Sequence, residues 1–274
     1  MSETYSDPVA QLLTLGDPRQ EDRADAGWRD YLGLGLTANH IPDLVRMALD
    51  EDLHGADADS AEVWAPVHAW RALGQLRAES AAGPLLPLLA RIDDDDDEWV
   101  QEDLPQVFEM IGPEAIQGLR DFLAEADHGA WARVAASESL AKIAERFPAS
   151  RERIVAIITD RLRCFADQER VVNGFLVCAL CDLKAVESAA VIEQAFAART
   201  VDLSVMGDWE EAQILLGLLE ERVTPEPNFL AMEFGLPSTA GRLDTGKPVR
   251  HRAGKQKKAK RKQAKASRRR NRRR

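Results

Sequence analysis

The sequence predicts an all-α protein: an α-solenoid of stacked helix pairs that ends in a disordered basic tail. The first observation is a spaced template, a large apolar residue followed by others nine and twelve positions on. It reads Trp64/Leu73/Leu76, Trp99/Phe108/Ile111, Trp131/Leu140/Ile143 and Val171/Leu180/Leu183, with a partial copy at Trp209/Leu218. The anchors are 35, 32, 40 and 38 residues apart, the period of two-helix repeats stacked along one axis. The second is what sits at offset eight, Ala72, Val107, Ser139, Ala179 and Gly217, small or modest residues beside the deepest apolar position. The third is a charge block: sixteen Lys or Arg and no acid from Lys247 onward.

Taken in order, residues 1–37 form a helical cap. Ser6-Asp7-Pro8 opens an amphipathic turn carrying Val9, Leu12, Leu13 and Leu15, with Pro at a first helical position. A second helix is expected after Asp17-Pro18, with Trp28, Tyr31, Leu32 and Leu34 on it. Trp28 has Thr37 nine positions on, so this unit departs from the template, as the end unit of a repeat stack does.

Residues 38–222 form the repeats. Ile41, Leu44, Val45, Ala48 and Leu53 recur at helical spacing. Val63–Leu76 pairs with a helix from Gly83-Pro84 that buries Leu85, Leu86, Leu88, Leu89 and Ile92. Trp99–Ile111 stops at Gly112-Pro113 and pairs with Ile116, Leu119, Phe122 and Leu123. Trp131–Ile143 pairs with Ile154, Ile157, Ile158 and Leu162 across Phe147-Pro148, and Val171–Leu183 pairs with Val191, Ile192, Ala195 and Phe196. The β-prone run at 154–158 reads as buried helix because it lies inside a longer helical pattern. After a helix from Trp209, Thr224-Pro225-Glu226-Pro227 forbids continuation. Residues 223–246 are a linker whose Phe229, Leu230, Met232 and Phe234 are expected to cover the last unit, and 247–274 are the tail.

At the units Val63–Leu76 and Met110-Ile111-Gly112-Pro113-Glu114-Ala115-Ile116 the chain resembles HEAT-like repeat proteins of the bacterial class that includes phycobilisome-lyase-type repeats, over roughly 38–222. It is also similar to bacterial repeat proteins some of which end in a cysteine-rich zinc module. No cysteine lies in the tail, so zinc binding does not carry over. The resemblance implies a curved α-solenoid that makes protein contacts. It implies no activity, because such folds host many functions.

The composition is that of a soluble protein, with 45% hydrophobic residues and no apolar run of membrane-spanning length. The N-terminus has acids where a signal peptide has a basic flank, and the cytoplasm is the expected compartment. The three cysteines fit a reducing environment; Cys178 and Cys181 fall in a buried register, and Cys164 reads as core as well. A Cys-x2-Cys without a second ligand pair is not a zinc site. No cofactor is expected: no His pair at metal spacing, nucleophile elbow or phosphate loop occurs, and His68 reads as a packing residue.

The formal charge of −10 joins two opposite polymers, since the first 246 residues hold 20 basic against 46 acidic side chains. Lys255, Lys257, Lys258, Lys260, Arg261, Lys262, Lys265, Arg268, Arg269, Arg270, Arg272, Arg273 and Arg274 are candidate nucleic-acid contacts. Without interleaved aromatics such contacts are sequence-tolerant and salt-dependent. Asp93, Asp94, Asp95, Asp96 and Asp97 lack the spacing of a calcium loop. They are expected to favour the N-terminus of the helix at Trp99 and are a candidate docking loop for a basic segment, the chain's own tail included. The functional expectation is a non-enzymatic scaffold that holds an unidentified protein partner while its tail tethers it to RNA, DNA or ribosomes. The alternative, implied by the resemblance alone, is a lyase-like or chaperone role on a cofactor-bearing protein.

Overall fold

The computed structural model of the chain describes residues 5–20 and 27–225. Among them the regular elements are helices and 3-10 turns, and no strand occurs. In chain order the α-helices are α1 (Ile41–Ala48), α2 (Glu51–His54), α3 (Ala65–Gln75), α4 (Ala82–Leu85), α5 (Arg91–Asp94), α6 (Glu98–Ile111), α7 (Ile116–Ala124), α8 (Ala130–Arg146), α9 (Arg151–Arg163), α10 (Arg170–Asp182), α11 (Ala189–Ala197), α12 (Leu203–Met206) and α13 (Trp209–Leu216). No helix among the described residues is long and apolar enough to cross a membrane.

The helices pack in the order in which they are made. One layer runs α1, α3, α6, α8, α10, α13, each against the next, and α7, α9 and α11 do the same in a second layer. The layers are joined where α7 meets α8, and where α9 meets both α8 and α10. Leu73, Phe108, Leu140 and Leu180, the second position of the template, are all completely buried. Burying each stabilises the fold by roughly 1.5–3 kcal/mol. The template anchors bridge one unit to the next: Trp64 meets Trp99 edge-on at 5.3 Å, and Trp131 meets Phe175 at 5.8 Å. Small residues follow from close approach. A Cβ on Gly74 would stand 3.4 Å from the Cα of Val107, so α3 and α6 touch backbone to backbone there.

Local chemistry sets the ends. The Asp97 carboxylate caps α6 by accepting from the amides of Trp99 and Val100 at 2.9 and 3.0 Å, and Asp208 caps α13 by accepting from Glu211 at 3.0 Å. Gly112, at φ 91, turns the chain from α6 into the Pro113–Ala115 turn, a conformation an L side chain resists. The close of α3 and that of α10 are the same motif. Arg77 and Lys184 are left-handed at φ 51 and 54, and the amides of Ala78 and Ala185 donate back to the carbonyls of Leu73 and Leu180 at 3.1 and 2.9 Å.

Polar bonds between units have the same period as the template. Arg71 pairs with Asp103 32 residues on, at 2.6 Å. Arg146 pairs with Glu109 37 residues back, at 3.3 Å. Arg151 donates to the Leu183 carbonyl and to Glu187, 32 and 36 residues on. Arg153 reaches Gln117 across 36 residues, Arg161 the Ala124 carbonyl across 37, and Arg133 Glu169 across 36.

The first layer is covered at its N-terminal end and again over α10. At the N-terminal end the buried His68 lies between the Tyr31 hydroxyl at 2.7 Å and the Gly16 carbonyl at 2.8 Å. An imidazole protonated on Nε2 satisfies both, accepting from Tyr31 and donating to Gly16. Gln75 donates to the Arg29 carbonyl and accepts from the Tyr31 amide. Over α10, the Asn173 amide donates to the carbonyls of Phe165 and Thr200, and a Cβ on Gly174 would meet Val205 at 3.0 Å.

Three expectations are corrected. Among the described residues no α-helix follows Pro18: there are 3-10 turns at Pro18–Gln20 and Leu32–Leu34, the second closed by Gly35 at φ 87, and the Tyr31 amide bonds to Gln75 of α3. The partner of α3 is not one helix. Pro84 and Pro87 lack the amide a helix interior needs, so it breaks into α4, a 3-10 stretch Leu86–Ala90 and α5, and Leu86 is only half-buried. Cys164 is exposed at the C-cap of α9, while Cys178 and Cys181 are buried.

The Arg71–Asp103 pair is almost wholly enclosed, with side chains 3% and 7% exposed. The Trp70 indole also donates to Asp103, at 3.1 Å. Asp103→Ala removes the buried carboxylate that pairs with Arg71 and accepts from Trp70, and urea denaturation should show a loss of about 3–5 kcal/mol.

Candidate functional site

Between the two covers, one face of α6 and one of α8 carry polar side chains. Glu102, Gln106 and the thioether of Met110 on α6, and Glu138, Lys142 and Arg146 on α8, recur every four residues and are half-buried or exposed. Arg146 and Glu109 join the two stripes. The N-terminal cover rises beside them, and an open groove of about 320 Å³ is lined by Trp28, Asp30, Leu32, Gly74, Gln75, Arg77, Met110 and Arg146.

The groove is held from behind. Arg71 lies over the Trp28 ring at 4.9 Å and the Trp99 ring at 5.5 Å while its guanidinium is paired with Asp103. Arg19 lies over Trp64 and Trp99 at 5.3 and 5.5 Å. A cation over an indole face is worth roughly 0.5–2 kcal/mol, more as water is excluded. The wall formed by Trp28 is thus preorganised before any ligand arrives. The groove offers an indole, a thioether and two guanidinium forks. Among the described residues no three His, Cys, Asp or Glu side chains converge as a metal site.

The acidic run divides between the two units it joins. Asp93 accepts from the Ala132 amide at the start of α8, at 2.8 Å, and Asp97 caps α6. Arg91 pairs with Asp95 at 3.2 Å and with Glu51 at 3.0 Å. Asp94 and Asp95 are exposed. The thirteen candidate nucleic-acid contacts from Lys255 to Arg274, the cover residues Phe229 to Phe234 and the rest of 226–274 lie outside the described residues.

Four carboxyls, Asp17, Glu169, Glu187 and Asp208, sit below the usual carboxylate range, Asp17 chiefly because the Arg19 side chain donates to it. For Glu187 the main cause is donation from its own backbone amide, opposed by burial and reinforced by Arg151. Burial pushes Glu169 and Asp208 up, but amide donation with Arg133, and Arg222 with the Glu211 amide, outweigh it.

The groove, the Trp28–Arg71–Trp99 stack and Arg77 were not anticipated in the sequence. The signal available was an Arg and an Asp, one period apart, at otherwise apolar positions of α3 and α6.

A family model described as "Protein of unknown function (DUF1186)" matches residues 57–224. The chain belongs to this family. The DUF1186 match spans α3 to α13 and leaves both the N-terminal cover and the basic tail outside it. No curated protein and no solved structure matches the chain.

A thiol reagent on the native protein should modify Cys164 rapidly and Cys178 and Cys181 at least ~10-fold more slowly, read by peptide mass mapping. Carboxyls lowered in the folded state contribute stability that is complete above the ordinary carboxylate range, near 4, and is lost as pH falls through their folded values. Urea midpoints should therefore fall between pH 5 and pH 2.5, and Arg222→Met should flatten that fall by raising Asp208 toward its ordinary value.

Proposed function

We propose that the chain is a non-enzymatic adaptor: a HEAT-like α-solenoid whose groove over α6 and α8 holds a protein partner, and whose basic tail tethers the complex to RNA, DNA or ribosomes. The observation that carries the first half is the shared period of packing and polar bonds. Arginine bonds that recur across 32–37 residues are what a stack of alike two-helix units makes when each meets only its neighbours. Such stacks present extended surfaces for protein contact, and the groove is the preorganised part of this one.

The second half rests on charge. A body with 46 acids against 20 basic groups repels polyanions, so attraction to phosphate falls to the sixteen cations of the tail. Each phosphate contact on a single strand adds about 0.7 to the slope of log affinity against log salt.

In a salt titration with single-stranded RNA, the full chain should give a slope of about −4 or steeper. Deletion of residues 247–274 should remove that binding. An unchanged slope and affinity after deletion would overturn the tether.

A further inference from the structure

The shared motif that closes α3 and α10 places a cation at the same left-handed position, and the two cations are used differently. Lys184 follows α10 at φ 54, and its ammonium donates to the Leu215 carbonyl of α13, the next helix of the first layer. Arg77 follows α3 at φ 51, where the next helix is α6, yet its guanidinium makes no ion pair or hydrogen bond among the described residues. It is exposed and lines the groove. A positive charge at both positions suits a helix C-terminus. Glycine would take the backbone conformation with less strain, so Arg77 keeps its side chain where local structure favours none.

The other charged groups of the groove are partly engaged. The Asp30 carboxylate turns back to accept from the Gly33 amide at 3.0 Å, and Arg146 meets Glu109 through one nitrogen at 3.3 Å. Arg77 therefore has its whole fork uncommitted, and Arg146 keeps donors that do not face Glu109. Beside these cations lies apolar surface. Leu32 is 45% exposed. The Met110 sulfur sits over Gly74, where a Cβ would stand 3.2 Å from it, and the Trp28 ring is backed by Arg71 at 4.9 Å.

We propose that the groove reads a short extended segment of a partner protein in which one Asp or Glu stands next to a large apolar residue. The carboxylate takes the Arg77 fork, with Arg146 beside it, and the apolar side chain lies on Leu32, Met110 and Trp28. The proposal rests on the reading of the groove as a protein-binding site and names what is bound there. Charge complementarity selects the carboxylate, because a guanidinium fork meets both of its oxygens at once. A single acid is selected over an acidic run, since Asp30 and the surplus of acids in the body repel further negative charge. A side-chain carboxylate is selected over a chain terminus, which is usually captured by backbone amides, whereas side chains line most of this groove. At about 320 Å³ the open groove is near the lower end of ligand sites, so a few residues fill it.

Methionine-methyl NMR on the full chain tests this through Met110, whose signal is local to the groove. The probes are capped tetrapeptides, acetyl-Gly-Glu-Xaa-Gly-amide with Leu, Met or Phe at Xaa, each matched by its Gln counterpart. The Met110 methyl should shift saturably, with at least ~10-fold higher affinity for a Glu peptide than for its Gln counterpart. Full-length Arg77→Gln, a change at an exposed side chain, should abolish that preference and leave affinity for the Gln peptides as it was. Arg77→Lys should restore only part of it, because an ammonium is a point charge without the fork. Equal shifts with Glu and Gln peptides would overturn the proposal while leaving the groove a peptide site. A preference that survives Arg77→Gln would overturn it as well. A Met110 methyl that none of the peptides moves would remove the proposal together with the reading it rests on.

Discussion

An amphipathic hairpin with apolar residues on more than one side cannot satisfy them by itself. From Ala65 to Gly74, and from Val172 to Cys181, every residue is buried, which requires neighbours around most of the helix circumference. For α6 and α8 those neighbours come from the preceding and following units and from the second layer. For α3 and α10 part of the circumference falls to the irregular covers. Loss of one unit therefore exposes two faces, its neighbours' as well as its own, and cooperativity spreads from unit to unit. The arginine bonds add register to this packing. A hydrophobic stripe tolerates sliding, whereas Arg71 against Asp103 and Arg151 against the Leu183 carbonyl accept one alignment only.

How much of this could be read from residues depended on how local the cause was. The bounds of α6, α8 and α10 followed within three residues from a template with helical spacing and from Asp97, Gly112 and Pro148, which act on the adjacent turn. The N-terminal cover is not legible in its own segment because its conformation is set by distant groups: Tyr31 and Arg29 bond to Gln75, and Gly16 bonds to His68. Pro84 and Pro87 were visible, but the leucines around them satisfy a helical pattern as readily as a broken one. Cys164 was assigned to the core by residue type, and only its place past the last turn of α9 exposes it. The groove was illegible for a different reason. It is the gap left between a cover and three helix ends, and no single segment encodes it.

Charge in the body is arranged for short-range use. Asp93 and Asp97, from one acidic run, satisfy amides at the starts of α8 and α6 respectively, so a stretch that resembles a docking loop also fixes the spacing of two units. This division explains why acids can be so numerous without the body being destabilised in proportion: part of their charge faces helix N-termini or arginines one period away, where it is favourable. What remains at the surface still gives the body an acidic field, which disfavours phosphate there.

In the proposed adaptor, the separation of the two roles along the chain has a physical consequence. The groove is formed by Trp28, Gln75, Arg77, Met110 and Arg146, in the first half of the repeats, whereas residues 222–224 are pinned to α13 at the far end. Electrostatic influence between exposed charges decays over about 10 Å at ordinary salt. On that proposal, salt that released a polyanion from the tail would leave the groove's aromatic and thioether contacts intact. Coupling between the two arises instead through tethering: a partner that itself sits on nucleic acid meets the groove at a raised local concentration. An adaptor of this kind gains selectivity from the groove and residence from the tail.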